Sequence, residues 1–225
     1  MKPRTILAHT QLPDGSTLEL HEHDSRHYLH LHGQQLGGEI ARSLDSELAH
    51  LGTHPFRPAR QPKIFILGLG LGSLLHSVCA TLAQKRARFT VYEPITDLVA
   101  WQKQFFPHSC LHTDPRADFT LQLTPSSLAR ENGTVHAILT HADSCPMEKG
   151  RLIIEDNRWI GAARDALQPG GLIGIVSLRS VPGLFGRWKR AGFEVTEHFI
   201  DGNPNARKPR RYPLLLARKP STSNE

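Results

Sequence analysis

The spacing of apolar residues changes near residue 62, and the chain divides there. Before that point the runs are short and alternating. Residues 17–22 and 28–32 alternate on either side of 23–27, which predicts a hairpin, and Pro13-Asp14-Gly15 supplies an earlier turn. Over 39–51, Ile40, Leu44, Leu48 and Leu51 recur at helical spacing, with Gly52 placed to end the helix. Residues 55–62 are rich in proline and arginine and read as a linker. Beyond it, strands and helices alternate. Strands are predicted at 64–67, 89–93, 119–123 (weaker), 137–139 and 172–176. Helices follow the first strand to about 84, carry Leu98, Trp101 and Phe105 on one side, span 157–167, and close over 182–191. Residues 193–200 and 212–217 read as a final antiparallel pair. Continuous apolar strands in repeated βα units imply an α/β fold with a doubly wound, mostly parallel sheet. The expected division is a β-rich extension over 1–54 and a main domain over 62–219.

Composition narrows the function classes. The 39% hydrophobic fraction and 21% charged residues in 225 residues suit one globular unit with a small appendage. The longest apolar run, 64–75, contains three glycines and is shorter than the roughly 20 residues that span a bilayer. No signal peptide is visible after Met1, and Cys79, Cys110 and Cys145 lie far apart without a CxxC pair. The expected compartment is therefore the reducing cytosol, with no membrane partner. The formal charge of +6 first points to an anionic partner such as nucleic acid. Yet Arg207, Lys208, Arg210, Arg211, Arg218 and Lys219 fall within 203–220, and outside that segment 21 basic residues face 21 acidic ones. The excess is a local patch, by default a solvated face.

Gly68-Leu69-Gly70-Leu71-Gly72-Ser73 joins the first main-domain strand to a helix. Without Cβ atoms such a turn lets a ligand approach the backbone and the helix N-terminal amides. Glu93 ends the next strand, where a carboxylate can hold both hydroxyls of a ribose, so strand, glycines, helix, strand and acid together predict a nucleoside-cofactor site. On the N-terminal strands, His21 and His23 share one face, as do His30 and His32. That face reads as solvated in preference to a zinc or nickel site, opposite Leu18, Leu20, Leu29 and Leu31 in the core. No metal is expected. Trp101 and Phe105 read as core packing, and Trp188 as either core or a binding surface.

Pro169-Gly170-Gly171 before a strand, then Arg190-Ala191-Gly192-Phe193-Glu194-Val195 entering a late antiparallel strand, resembles the Rossmann-like class I S-adenosylmethionine-dependent methyltransferases. Within that superfamily the chain resembles the spermidine synthase-like (polyamine aminopropyltransferase) proteins over nearly its whole length. The matching stretches are Leu12-Pro13-Asp14-Gly15, residues 18–24, Gly33, Leu36, Arg42 and Ser46-Glu47-Leu48-Ala49 in the first part. In the main domain they are residues 68–72, Tyr92-Glu93-Pro94, Asp114-Pro115-Arg116, and residues 137–146.

The resemblance implies a co-substrate, S-adenosylmethionine or its decarboxylated form, and a small-molecule amine as acceptor, with a homodimer as family precedent. Gly68, Leu69, Gly70 and Gly72 would shape the methionine side of the pocket. Glu93 would hold the ribose, and Ser126 or Ser127 would approach the adenine. The family places a proton-accepting Asp at the end of the fourth main-domain strand. Here His141 stands in that place and Asp143 follows two residues later, so Asp143 or His141 would neutralise the acceptor. The bland alternative makes His141 a strand-end residue bound to backbone and Asp143 a cap acid. Thr124-Pro125-Ser126-Ser127 replaces the family's acidic contact to adenosine, and 39–51 lacks the tyrosine and histidine that line the polyamine. Two further readings stay open: a methyltransferase, without the Asn/Asp-Pro-Pro-Tyr/Phe motif of many nucleic-acid enzymes, and a non-catalytic member that keeps the fold.

Overall fold

The computed structural model describes residues 4–31, 33–36, 39–148, 150–178, 180–202 and 210–221. Four strands open the chain: β1 (Thr5–Gln11), β2 (Thr17–His23), β3 (Arg26–Leu31) and β4 (Gln34–Gln35), paired in that order as one antiparallel sheet. The β2–β3 turn is tighter than the alternation predicts. Only Asp24 and Ser25 link the strands, both at positive φ (49° and 60°), the geometry of a two-residue hairpin turn. One face of this sheet is apolar: Leu18, Leu20 and Leu29 pack against Leu98 and Trp101.

Helix α1 (Glu39–Thr53) runs through Gly52 instead of ending there. The glycine is needed for contact, because a Cβ at that position would lie 2.6 Å from Leu139 Cδ2. Leu44, Leu48 and Ala49 of this helix share a core cluster with the main sheet. The Pro/Arg-rich segment is held down, its carbonyls at Phe56, Arg57 and Ala59 accepting from the Gln84 side chain.

The remaining elements follow in chain order: β5 (Lys63–Leu67), α2 (Ser73–Thr81), β6 (Arg88–Tyr92), α3 (Thr96–Phe105), α4 (Cys110–Thr113), β7 (Ala117–Thr120), α5 (Pro125–Ala129) and β8 (Val135–His141). Then come β9 (Met147–Glu148), β10 (Arg151–Leu152), α6 (Asn157–Ala166), β11 (Leu167–Val176), α7 (Leu184–Arg190), β12 (Glu194–Asp201) and β13 (Arg211–Arg218). The seven-stranded sheet has the order β12-β13-β11-β8-β5-β6-β7. All neighbours are parallel except β13, which is antiparallel to both β11 and β12. Helices cover both faces, with one core around Trp159, Ile138 and Trp188 and another around Leu48, Ile66 and Leu75. This is the doubly wound α/β fold the sequence predicts.

Some bounds differ. β7 sits earlier than 119–123, and Leu121 and Gln122 are exposed past its end. β11 starts at Leu167, where α6 stops, and passes Pro169-Gly170-Gly171 with a register shift between Leu167 and Leu172. Trp188 is core: it is fully buried and its Nε1–H donates to the Ile154 carbonyl (3.3 Å). The histidine face is not solvated throughout, since His21 and His30 are buried at 7% and 3% exposure. His32, Arg207 and Lys208 lie outside the described residues. Of the described basic residues near the C-terminus, Arg218 donates to the Gly170 carbonyl and Lys219 to that of Leu167, so both have structural partners. Among the described residues no helix is long and apolar enough to cross a membrane.

Candidate functional site

Strand order locates the cleft. From β5 the chain steps outward to β6 and β7, then returns to the other side at β8, so β5 and β8 flank the topological switch point. In open α/β sheets ligands bind beyond the C-terminal ends of the strands at that point. The two segments that leave there are the glycine turn after β5 and residues 142–146 after β8.

Gly68, Gly70 and Gly72 all have positive φ (81°, 52° and 82°), which side-chain-bearing residues rarely adopt. Gly72 caps α2, and the Gly68 amide donates to the Tyr92 carbonyl (2.8 Å), tying the turn to β6. Glu93 locks it further. Its Oε2 accepts from the Leu69 amide (2.8 Å) and its Oε1 from the Ile95 amide (2.9 Å). Burial pushes its pKa up to about 7, partly offset by those two amides.

Opposite the turn, α1 presents Asp45, buried at 5% exposure. The Ser73 hydroxyl, at the start of α2, donates to Asp45 Oδ2, while Oδ1 has no partner. Desolvation is the main cause that lifts the Asp45 pKa to about 7; the Ser73 hydrogen bond opposes it and the nearby charge of Asp143 adds to it. Buried Gln102 of α3 donates to the Gly70 carbonyl (3.4 Å), and its Oε1 is unpartnered. Neither Asp45 nor Gln102 emerged from the sequence. Both carry a readable signal, a polar residue inside an apolar stripe: Asp45 at i+4 from Ala41, Gln102 at i+4 from Leu98.

His141 ends β8 with its ring buried. Its Nδ1 accepts from the Asp143 amide (3.4 Å), so Nε2 carries the proton of the neutral ring, and Nε2 is buried without a partner. Burial depresses its pKa to about 4. At neutral pH His141 is therefore a hydrogen-bond donor and a poor base. The Asp143 carboxylate lies 3.8 Å from Nδ1 and is partly exposed.

Asp45, Arg42, Gly70, Ser73, His141 and Ser144 line one cavity, and His141 and Asp45 are thereby brought together. Its free interior is about 20 Å³, room for one water molecule. The reason is Ser144. A Cβ on Gly68 would lie 1.6 Å from the Ser144 carbonyl oxygen, and one on Gly70 would lie 2.6 Å from its Oγ. The segment after β8 rests on the glycine turn, and a nucleoside-sized ligand enters only if that segment moves. A larger cleft of about 630 Å³, lined by Lys85, Arg86, Arg88 and Arg116, opens at the other end of β6. It gathers none of the unpartnered buried groups. A cleft of about 460 Å³ between α6 and α7 holds the unpartnered Nε atoms of Arg164 and Arg187. The small cavity adds to its own such groups a place at the switch point and is the better candidate.

Ser126 and Ser127 stand apart from this cavity, in the first turn of α5. Ser126 is exposed, whereas the Ser127 amide and hydroxyl both bond to Thr124, the helix cap.

No protein-family model and no curated protein matches this sequence. Solved structures do. Spermidine synthase from Thermotoga maritima superposes with a TM-score of 0.71 at 18% identity, over 95% of this chain and 72% of that one. A probable spermidine synthase from Corynebacterium glutamicum gives 0.62 at 17% identity, over 97% and 81%. A precorrin-6y C5,15-methyltransferase from Geobacter metallireducens gives 0.56 at 10% identity, over 80% and 88%. The two spermidine synthases match over nearly the entire chain, N-terminal sheet included. The chain thus has a spermidine synthase-like fold, one it also shares with a methyltransferase of known structure.

Proposed function

We propose that this chain is a transferase that binds S-adenosylmethionine or its decarboxylated form at the glycine turn and acts on an amine, with aminopropyl transfer as the leading reaction. One observation carries the reading: buried groups with unused hydrogen-bonding capacity (Asp45 Oδ1, Gln102 Oε1, His141 Nε2) surround a glycine turn at the switch point. Buried polar atoms ordinarily have partners, and a polar ligand would supply them. A structurally similar spermidine synthase holds the transition state analogue AdoDATO (TM-score 0.68, 17% identity, 95% of this chain, 72% of that one).

The donor set fits an adenosyl sulfonium. Each Glu93 oxygen accepts one amide and keeps capacity for a ribose hydroxyl. When bound, the sulfonium supplies an electrophilic carbon. Asp45 is suited to take the proton from an ammonium acceptor, because its pKa near 7 lies close to working pH. Asp143 adds negative charge beside it and attracts a cation. His141 orients as a donor through Nε2–H. Gly68, Leu69, Gly70 and Gly72 form the methionine side, and Ser126 and Ser127 remain the candidates for adenine. Residues 142–146 must lift off the turn for entry, which also excludes water when they return.

The test is product analysis with either nucleoside and putrescine, cadaverine or spermidine. Methylthioadenosine is expected. S-adenosylhomocysteine alone would replace this reaction with methyl transfer. The Ser144 carbonyl over Gly68 favours one rival, a member that keeps the fold without the chemistry. Nucleoside binding without turnover on any acceptor would establish that rival.

A further inference from the structure

On the N-terminal sheet, well away from the glycine turn in sequence, three side chains with metal-ligand chemistry meet. Glu19 and His30 are directly opposed in the β2–β3 register, and His21 follows Glu19 by two residues on the same face. One donor atom from each of Glu19, His21 and His30 lies within 4.8 Å of the other two. The imidazoles meet edge to face with centroids 4.2 Å apart, and His21 Nε2 is 2.8 Å from Glu19 Oε2. A buried imidazole is costly to leave half-satisfied, and His21 Nδ1 is buried with no partner. A pair of apolar side chains would serve packing alone better.

We propose that Glu19, His21 and His30 form a binding site for a divalent transition-metal ion of the zinc class. Two imidazoles and one carboxylate are a donor set that zinc accepts, and three protein ligands leave a further position for water. Ligation would draw these side chains together on two strands whose backbones are already paired across the hairpin. The ion would clamp β2 to β3 from the face opposite Leu29, which lines the candidate cavity. It therefore supports the wall of that cavity and takes no part in its chemistry. This inference is independent of the proposed transferase activity.

The test uses the full chain stripped with a chelator. Zinc affinity is read by competition with a chromophoric chelator, alongside thermal melting. One zinc per chain and a raised Tm are expected. His30→Gln and Glu19→Gln should each weaken binding at least about tenfold. Replacing His50 and His54, whose rings lie 5.5 Å apart, with Gln should leave it unchanged. Failure to bind one zinc, equal affinity in His30→Gln, or loss in the His50/His54 variant would overturn the proposal. Because a buried substitution can disturb folding, Co²⁺ is also read on the unaltered chain. A four- or five-coordinate visible spectrum is expected, and the weak spectrum of the hydrated ion would contradict the site.

Discussion

Glu93 and Gly68 hold the proposed ligand turn in shape through contacts of their own. Glu93 stood out in the sequence because an acid ending the strand after a glycine turn is where a doubly wound fold can hold a ribose. Its bonds to the Leu69 and Ile95 amides were not, since they depend on how the turn closes back on β6. Gly68 faces the Ser144 carbonyl, so its missing Cβ matters without any ligand. Gly68→Ala should cost more than about 2 kcal/mol in urea unfolding, from both positive φ and backbone collision. Wild-type stability in that variant would mean that residues 142–146 do not rest on the turn. Asp45 gives a second test. Its folded pKa of about 7 exceeds the ordinary 3.8, so ionising it removes stability as pH rises from about 4 to 7. Asp45→Asn imitates the protonated form. It should match wild type near pH 4 and exceed it by on the order of a few kcal/mol at pH 8. A difference constant with pH would contradict the buried, poorly paired carboxylate. Asp45 escaped sequence reading because an Asp beside Ser43, Ser46 and Glu47 looks like part of a solvated face.

Among elements, the segment 114–116 shows a motif whose resemblance to known proteins did not disclose its job. Arg116 donates to the carbonyls of Cys79 (3.1 Å), in the last turn of α2, and of Leu82 and Gln84 (3.3 Å) just beyond it. Asp114 holds the guanidinium in place, with Oδ2 at 2.6 Å from Nη2. The hydrogen bonds from Arg116 keep the Asp114 pKa down at about 2. The pair thus joins α2 to β7 and keeps the glycine turn's helix seated. Arg116→Ala should lower unfolding free energy by at least about 2 kcal/mol. Because the Asp114 pKa is depressed in the folded state, its stabilisation is full above about pH 4 and is lost as pH falls toward 2. The variant should lose that part of the acid sensitivity. A change below about 0.5 kcal/mol would show the cap to be redundant. Element types were readable from apolar periodicity. Boundaries were not where tertiary contact decided them, as at Gly52, which fits against Leu139, and at Pro169-Gly170, which β11 absorbs by a register shift.

Over the whole molecule, the sheet order turns a sequence of βα units into a cleft. Strands β5 and β8 diverge in connectivity, and everything with unused buried polarity near them comes from three distant segments: α1, α3 and the end of β8. A polar residue in an apolar stripe, as at Asp45, signals burial but not what it meets, which is why the glycine turn was foreseeable and the place of the acid on α1 was not. The N-terminal sheet completes the enclosure by packing Leu18, Leu20 and Leu29 on α3, with Leu29 reaching the cavity wall. Among the described residues of the basic C-terminal segment, two have backbone partners. Lys219 and Arg218 hold backbone carbonyls at the start of β11, as structural groups do. The most direct measurement is a calorimetric titration of the chain with methylthioadenosine, beside Glu93→Ala. Saturable binding of one nucleoside per chain, lost in the variant, is the predicted result; no binding to the wild type, or equal binding to both, would contradict a nucleoside site at the glycine turn.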